Sequence, residues 1–358
     1  MLARRGKLTH PHAGGIELPL LVPAFSSKGF AFLETGKGKS RRPYSELADT
    51  LDQFARWPAV SSLVSAYDLH YQHFVAPKPN TRNVASLFSN CKVVIIDSGG
   101  YELGVDFDST ELKSFSYQPR PGYGETEYHT VLNQMSKVVN NLHLIVTNFD
   151  YGNYGMQLSS QIQTAKELFY ECPRCLSDFI IKPWSKKSKV VDPSQMTPTD
   201  FANLRGFNII GVTEKELGAN LLDRLMKVAA LRKGLDDAGI NAPIHIWGGL
   251  DPILTPLFFF AGAEVFDGVS WLRYAYSTGV AINRECYAVL EPKVGINASH
   301  KFSNNMVCFD NLSFLTNLAV ALQQWVDFEG KNFSMFDEHV REHLQRAYEA
   351  MKTKNKLL

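Results

Sequence analysis

Long apolar runs are missing from this chain. The longest, ILTPLFFFAGAEVF (253–266), is short for a bilayer span and is interrupted by Pro256, so no membrane segment is expected. No apolar stretch follows Arg4, Arg5 and Lys7, so no secretory signal is expected either, and the expected location is the cytoplasm. Cysteine is scarce. Five residues in 358, an odd number, exclude a disulfide framework, and Cys172 with Cys175 form a lone CxxC that reads as ordinary thiols without a second ligand pair. Neither sign of charge is in excess: Lys plus Arg number 37 and Asp plus Glu 36, so a nucleic-acid partner would need a local basic surface. Two clusters offer one, KGKSRR (37–42) and KPWSKKSK (182–189), both in segments that read as loops. No GxGxxG follows the first strand, and GKGK at 36–39 lacks the spacing and preceding strand of a phosphate loop. With no low-complexity tract or linker, the chain reads as one domain over 1–358.

What the sequence does have is a recurring apolar run with a helical pattern between repeats. The runs are LPLLVPAF, KVVIID, LHLIVTNFD, DFIIKP, FNIIGV, PIHIWGG and EVFDGV. Thr126 is expected to cap EYHTVLNQMSKVVNN, Ser159 or Ser160 to open QIQTAKELFYEC, and ANLLDRLMKVAALRKGLDDAG has 3.6-residue spacing with a glycine stop. Strands alternating with helices over roughly 250 residues predict a (β/α)8 TIM barrel spanning about 18–290. Decorations are expected on it: an inserted loop over 106–125, after the strand ending at Asp97, and C-terminal helices over about 311–358.

In such a barrel the C-terminal strand ends line the functional site. Those ends carry Asp97, Asp150, Lys182, Gly211, the Trp247-Gly248-Gly249 triplet and Asp267. Three carboxylates converging on one mouth are not explained by packing, because unpaired buried charge is costly. Paired carboxylates suit chemistry at a glycosidic carbon, one attacking and the other moving a proton. The segment DSGGY adds glycines that admit close approach and an aromatic ring, and Tyr101 with Trp247 would sandwich a flat base.

Five motifs in order, DSGGY, NFD, GFNIIGVTEKE, IHIWGG and GAEVFDGVSWLR, resemble those of the tRNA-guanine transglycosylase family, over about 18–273. The family exchanges a guanine in nucleic acid for a 7-deazaguanine base. The resemblance implies that Asp267 is the nucleophile that forms a covalent glycosyl ester and that Asp97 is the general acid and base. It further implies that Asp150 reads the base edge and that Ser98, Gly99, Gly100, Gly211 and Gly248 hold the base. Tyr101 and Trp247 match the stacking positions, and Arg273 an arginine near the nucleic-acid backbone, where Lys186, Lys187 and Lys189 would add charge.

Two departures shape the expectation. FIIKPW puts Lys182 where the family has a base-reading glutamine. The tight cysteine cluster of the tRNA enzymes' zinc site is also missing: only Cys286, His300 and Cys308 occur in that region, one ligand short of a closed site, so no metal or other cofactor is expected. The chain therefore resembles the DNA-modifying branch, with DNA favoured over tRNA, a preQ0-like base as small-molecule substrate and a helper protein to open duplex. The same exchange in tRNA, a non-catalytic accessory subunit and an unrelated small-metabolite barrel are the alternatives. The three aspartates speak against the accessory subunit.

Overall fold

The computed structural model describes residues 1–10, 14–28, 32–35, 42–45, 61–73, 91–104, 118–138 and 143–354, and single positions 47, 50, 51, 54 and 88. Within these, eight strands close a parallel barrel in chain order: β3 (Leu20–Phe25), β6 (Ser61–Ser65), β7 (Val93–Asp97), β8 (His143–Thr147), β9 (Leu176–Ile181), β10 (Ile209–Thr213), β11 (Ile244–Trp247) and β12 (Val265–Gly268). β12 returns to pair with β3, Asp267 opposite Val22. Between β3 and β6, β4 (Phe32–Thr35) and β5 (Arg42–Ser45) form a two-stranded ribbon. This is the expected (β/α)8 TIM barrel. The basic segment 37–41 and residues 106–117 of the expected insertion lie outside the described residues.

The strand alternation sorts every side chain. Val93 and Ile95 of β7 point into the barrel with Ile145, Ile180, Ile209 and Val265, while Val94, Ile96, Val146, Phe179, Ile210 and Phe266 face the surrounding helices. A hairpin of β1 (Gly6–His10) and β2 (Gly14–Leu18) places Leu8, Ile16 and Leu18 in the inner cluster. The barrel floor is thus plugged, and its C-terminal end is left for polar groups.

β6, SSLVS, has no long apolar run, and its serines are buried: Ser61 Oγ donates to the Leu21 carbonyl over 2.8 Å. Helix starts differ from expectation at two places. Glu125–Val138 contains Thr126 within its first turn, with Glu127 reaching back to the Gly124 N–H at 2.9 Å. Leu158–Tyr170 is preceded by Gln157, so Ser159 and Ser160 are inside the helix. The Leu221–Asp237 helix is capped by Asn220, which accepts from the Asp223 N–H at 2.9 Å.

Past β12 come a hairpin, β13 (Tyr274–Ser277) with β14 (Val280–Asn283), and the helices His300–Asp327 and Glu338–Lys354. By length and composition alone, Lys301–Asp327 is long and apolar enough to cross a membrane, although the apolar runs give no expectation of a membrane segment. In this fold its Leu315, Leu322 and Trp325 are buried in the outer core, and Asn311 holds the chain after β12 by donating to the Trp271 and Tyr274 carbonyls and accepting from the Tyr276 N–H.

Candidate active site

β7 ends in Asp97, and the next two residues turn the chain. Gly99 sits at φ +93°, a left-handed conformation in which a Cβ would stand 2.8 Å from the Tyr67 Cβ. Its N–H donates to Asp97 Oδ2 at 3.1 Å. Ser98 Oγ donates to Asp150 Oδ1 at 2.5 Å, and a Cβ on Gly100 would lie 2.8 Å from that same oxygen. The close approach that the paired glycines permit is therefore partly to side chains of the protein itself. Burial, then Asp150, then Asp267 across the mouth raise Asp97 to about 7, against the pull of the Gly99 N–H. All three aspartates are buried, and Asp97 is close enough to feel both of the others.

Asp150 is carried by the loop after β8. Asn148 prolongs the sheet there with its amide, accepting from the Ile180 N–H at 2.6 Å and donating to the Ile180 carbonyl at 3.2 Å. Lys182 then reaches Asp150 Oδ2 at 3.3 Å and Glu216 Oε1 at 3.1 Å. Burial alone would depress the lysine, but these two carboxylates raise it above its ordinary value. Gln161 clamps the Lys182 backbone from both sides at 3.0 Å.

Asp267 faces the barrel axis from β12. Its Oδ1 accepts from the Gly248 N–H at 3.0 Å, with Gly248 at φ +77°, and lies 3.2 Å from His245 Nε2, outside good hydrogen-bond geometry. His245 Nδ1 meets Asp178 Oδ2 at 2.6 Å. Burial would lower His245, but Asp178 and Asp267 overcome it and carry the imidazole up to about 9.

The two expected platforms differ. Tyr101 is 37% exposed, with Lys28 Nζ 4.3 Å from its ring centroid and Arg273 Nη2 donating to its hydroxyl at 3.0 Å. Trp247 is buried, its ring 4.3 Å from that of His245. Gly211 makes room for it: a Cβ there would stand 2.6 Å from Trp247 Nε1 and 2.9 Å from Asp178 Oδ1. Lys186, Lys187 and Lys189 are exposed on the loop after β9, which packs on the loop carrying exposed Tyr151 and Tyr154; the Tyr154 hydroxyl donates to the Lys186 carbonyl at 3.3 Å.

Cys286 is exposed, Cys308 half-buried, and the His300 side chain lies outside the described residues; among the described residues no three His, Cys, Asp or Glu are disposed to hold a metal ion. Cys172 and Cys175 close a turn at the end of the Leu158–Tyr170 helix.

Attention to strand ends alone overlooks Asp178, His245 and Glu216. The signal for the first two is parity: Asp178, Ile180 and Lys182 share one strand face, as do His245 and Trp247, so two ionisable residues point into the barrel one layer below the mouth. No family model matches this chain, and no curated protein matches it.

Proposed function

We propose that the protein is a nucleic-acid guanine transglycosylase, exchanging guanine for a 7-deazaguanine base, in DNA before tRNA. One observation carries the reading: Asp97, poised near neutrality by burial and by Asp150, faces the same barrel mouth as Asp267, whose Oδ1 is held by the Gly248 N–H.

An Asp267 oxygen attacks C1′ of the target nucleoside. The C1′–N9 bond breaks with its electron pair going to the base, and the proton of Asp97 neutralises the departing guanine. Asp97, now a carboxylate, takes a proton from the incoming base, whose nitrogen attacks C1′ and returns the ester electrons to Asp267. Two displacements give net retention. A carboxyl group poised near pH 7 can serve both half-reactions, which an ordinary aspartate, ionised at neutral pH, would do poorly.

Asp150 offers an acceptor to the base edge but is already shared between Ser98 and Lys182. Lys182 thereby sets the charge of the pocket in place of an uncharged amide. Tyr101, with Arg273 on its hydroxyl, supplies an exposed face for the base or a neighbouring one. The exposed lysines after β9 and the missing tight cysteine cluster in the sequence support DNA.

The test is incubation of the protein with labelled guanine or 7-deazaguanines and with single-stranded DNA, duplex DNA or tRNA, followed by nucleoside analysis. Label should enter DNA, and Asp267→Asn should abolish entry. Label in tRNA alone would keep the chemistry and change the substrate; label in none of them would overturn the reading.

A further inference from the structure

We propose that His245, anchored by Asp178, is a positioning residue that holds Oδ1 of Asp267 and so directs Oδ2 at the reacting carbon. The inference rests on the reading of Asp267 as nucleophile.

The geometry is a chain of three buried side chains from three strands. Asp178 on β9 meets His245 Nδ1 at 2.6 Å, and His245 Nε2 on β11 stands 3.2 Å from Asp267 Oδ1 on β12. Oδ1 also takes the Gly248 N–H, whereas among the described residues no hydrogen bond falls on Oδ2. The imidazole is confined by the Trp247 ring at 4.3 Å, and the Trp247 indole nitrogen lies beside the Asp178 carboxylate without completing a hydrogen bond.

Rotation of the Asp267 carboxylate would exchange its two oxygens. The Gly248 N–H on Oδ1 and the charged imidazole 3.2 Å from it oppose that exchange and leave the other oxygen to attack, an advantage of orientation. The pair acts again in the second half-reaction. When the incoming base attacks C1′, the C1′–Oδ2 bond breaks and its electron pair returns to the carboxylate; an imidazolium at Oδ1 stabilises the charge as it develops, and no proton need move. Asp178 keeps that imidazole charged. Without it, burial would strip the proton and leave a lone pair on one ring nitrogen.

The ionisable groups facing His245 are Asp178 from β9 and Asp267 from β12. The pH behaviour of His245 therefore reports Asp178 first and Asp267 second, and the Asp178→Asn variant separates the two.

The experiment compares wild type, Asp178→Asn and His245→Gln by exchange rate across pH, trapping of the covalent nucleoside adduct, thermal denaturation, and imidazole titration with nitrogen-labelled histidine. In wild type His245 should stay protonated to about pH 9. In Asp178→Asn it should lose its proton near or below neutrality, exchange should fall roughly tenfold or more, and the adduct should persist because its breakdown is slowed. A merely structural role would lower the denaturation temperature without moving the pH limb or the adduct lifetime. Should Asp178→Asn not fold, the wild-type titration decides: a His245 that titrates near pH 6.5 overturns the proposal. So does an Asp178→Asn protein with wild-type rate and pH profile. A wild-type protein that exchanges no base in any nucleic acid overturns the transglycosylase reading, and the assignment of Oδ2 with it, a result distinct from active wild type with indifferent variants.

Discussion

Lys182 Nζ lies 3.3 Å from Asp150 Oδ2, so the lysine that follows β9 is tied to the carboxylate expected to read the base. Glu216 holds the same ammonium at 3.1 Å. Lys182→Met should leave the buried Asp150 and the half-buried Glu216 without their cation. Breaking a fully buried pair costs about 3–5 kcal/mol, and water at the mouth should reduce that to roughly 2 kcal/mol. Chemical denaturation measures the loss, and Lys182→Gln, which keeps a donor, should recover part of it while changing which bases bind in calorimetric titration.

Asp97 carries a stability cost of known sign. Its folded value is raised from 3.8 to about 7, so between those pH values the native protein holds a proton that the unfolded chain has released, and stability falls as pH rises. Asp97→Asn removes the charge and keeps an acceptor for the Gly99 N–H. The variant should gain stability relative to wild type between pH 5 and pH 8, by up to a few kcal/mol at ~1.4 kcal/mol per tenfold change in proton affinity, while losing exchange. Equal denaturation curves at both pH values would show that Asp97 is not held up by its surroundings.

Tyr101 and Trp247 should part company under mutation, although the sequence suggests the same task for both. Trp247 is buried against His245, so Trp247→Ala should cost ~3–5 kcal/mol as a core truncation. Tyr101 is partly exposed, and Tyr101→Ala should stay within about 1 kcal/mol of wild type while weakening capture of a base by roughly 1–3 kcal/mol. Thermal denaturation beside base binding separates the two. Equal stability losses would remove Tyr101 as a platform.

The barrel is legible in the sequence because seven of its strands are continuous apolar runs, the pattern that burial on both faces imposes. β6 escapes notice because SSLVS has serines on either side of Leu63 on its inward face, and Ser61 is tolerated there by donating to the Leu21 carbonyl. Asp97, Asp150 and Asp267 are visible as strand-end carboxylates. The partners that set their chemistry are harder to see: His245 sits one layer below the mouth, and its pairing with Asp178 joins residues 67 positions apart whose proximity only barrel closure creates. Glu216 likewise reaches Lys182 from the loop after β10, where a charged residue ordinarily reads as surface.

The substrate prediction follows from geometry and charge. A glycosidic carbon inside a duplex stack cannot enter a barrel mouth, so the target nucleotide must be flipped or presented single-stranded, at a cost of a few kcal/mol in a duplex. Single-stranded DNA should therefore be modified faster than duplex when no strand-opening partner is present. With a net charge of +1, attraction has to come from local cations, and Lys186, Lys187 and Lys189 are exposed on the loop after β9 beside exposed Tyr151 and Tyr154. Binding should weaken steeply with salt, and replacing the three lysines with glutamine should reduce the slope of log affinity against log salt by roughly two to three, about 0.7–0.9 for each phosphate no longer neutralised. Fluorescence anisotropy with labelled strands at several salt concentrations measures both slopes. An unchanged slope would remove this loop from the nucleic-acid path, and efficient modification of tRNA with none in DNA would move the substrate while leaving the chemistry of Asp97 and Asp267 in place.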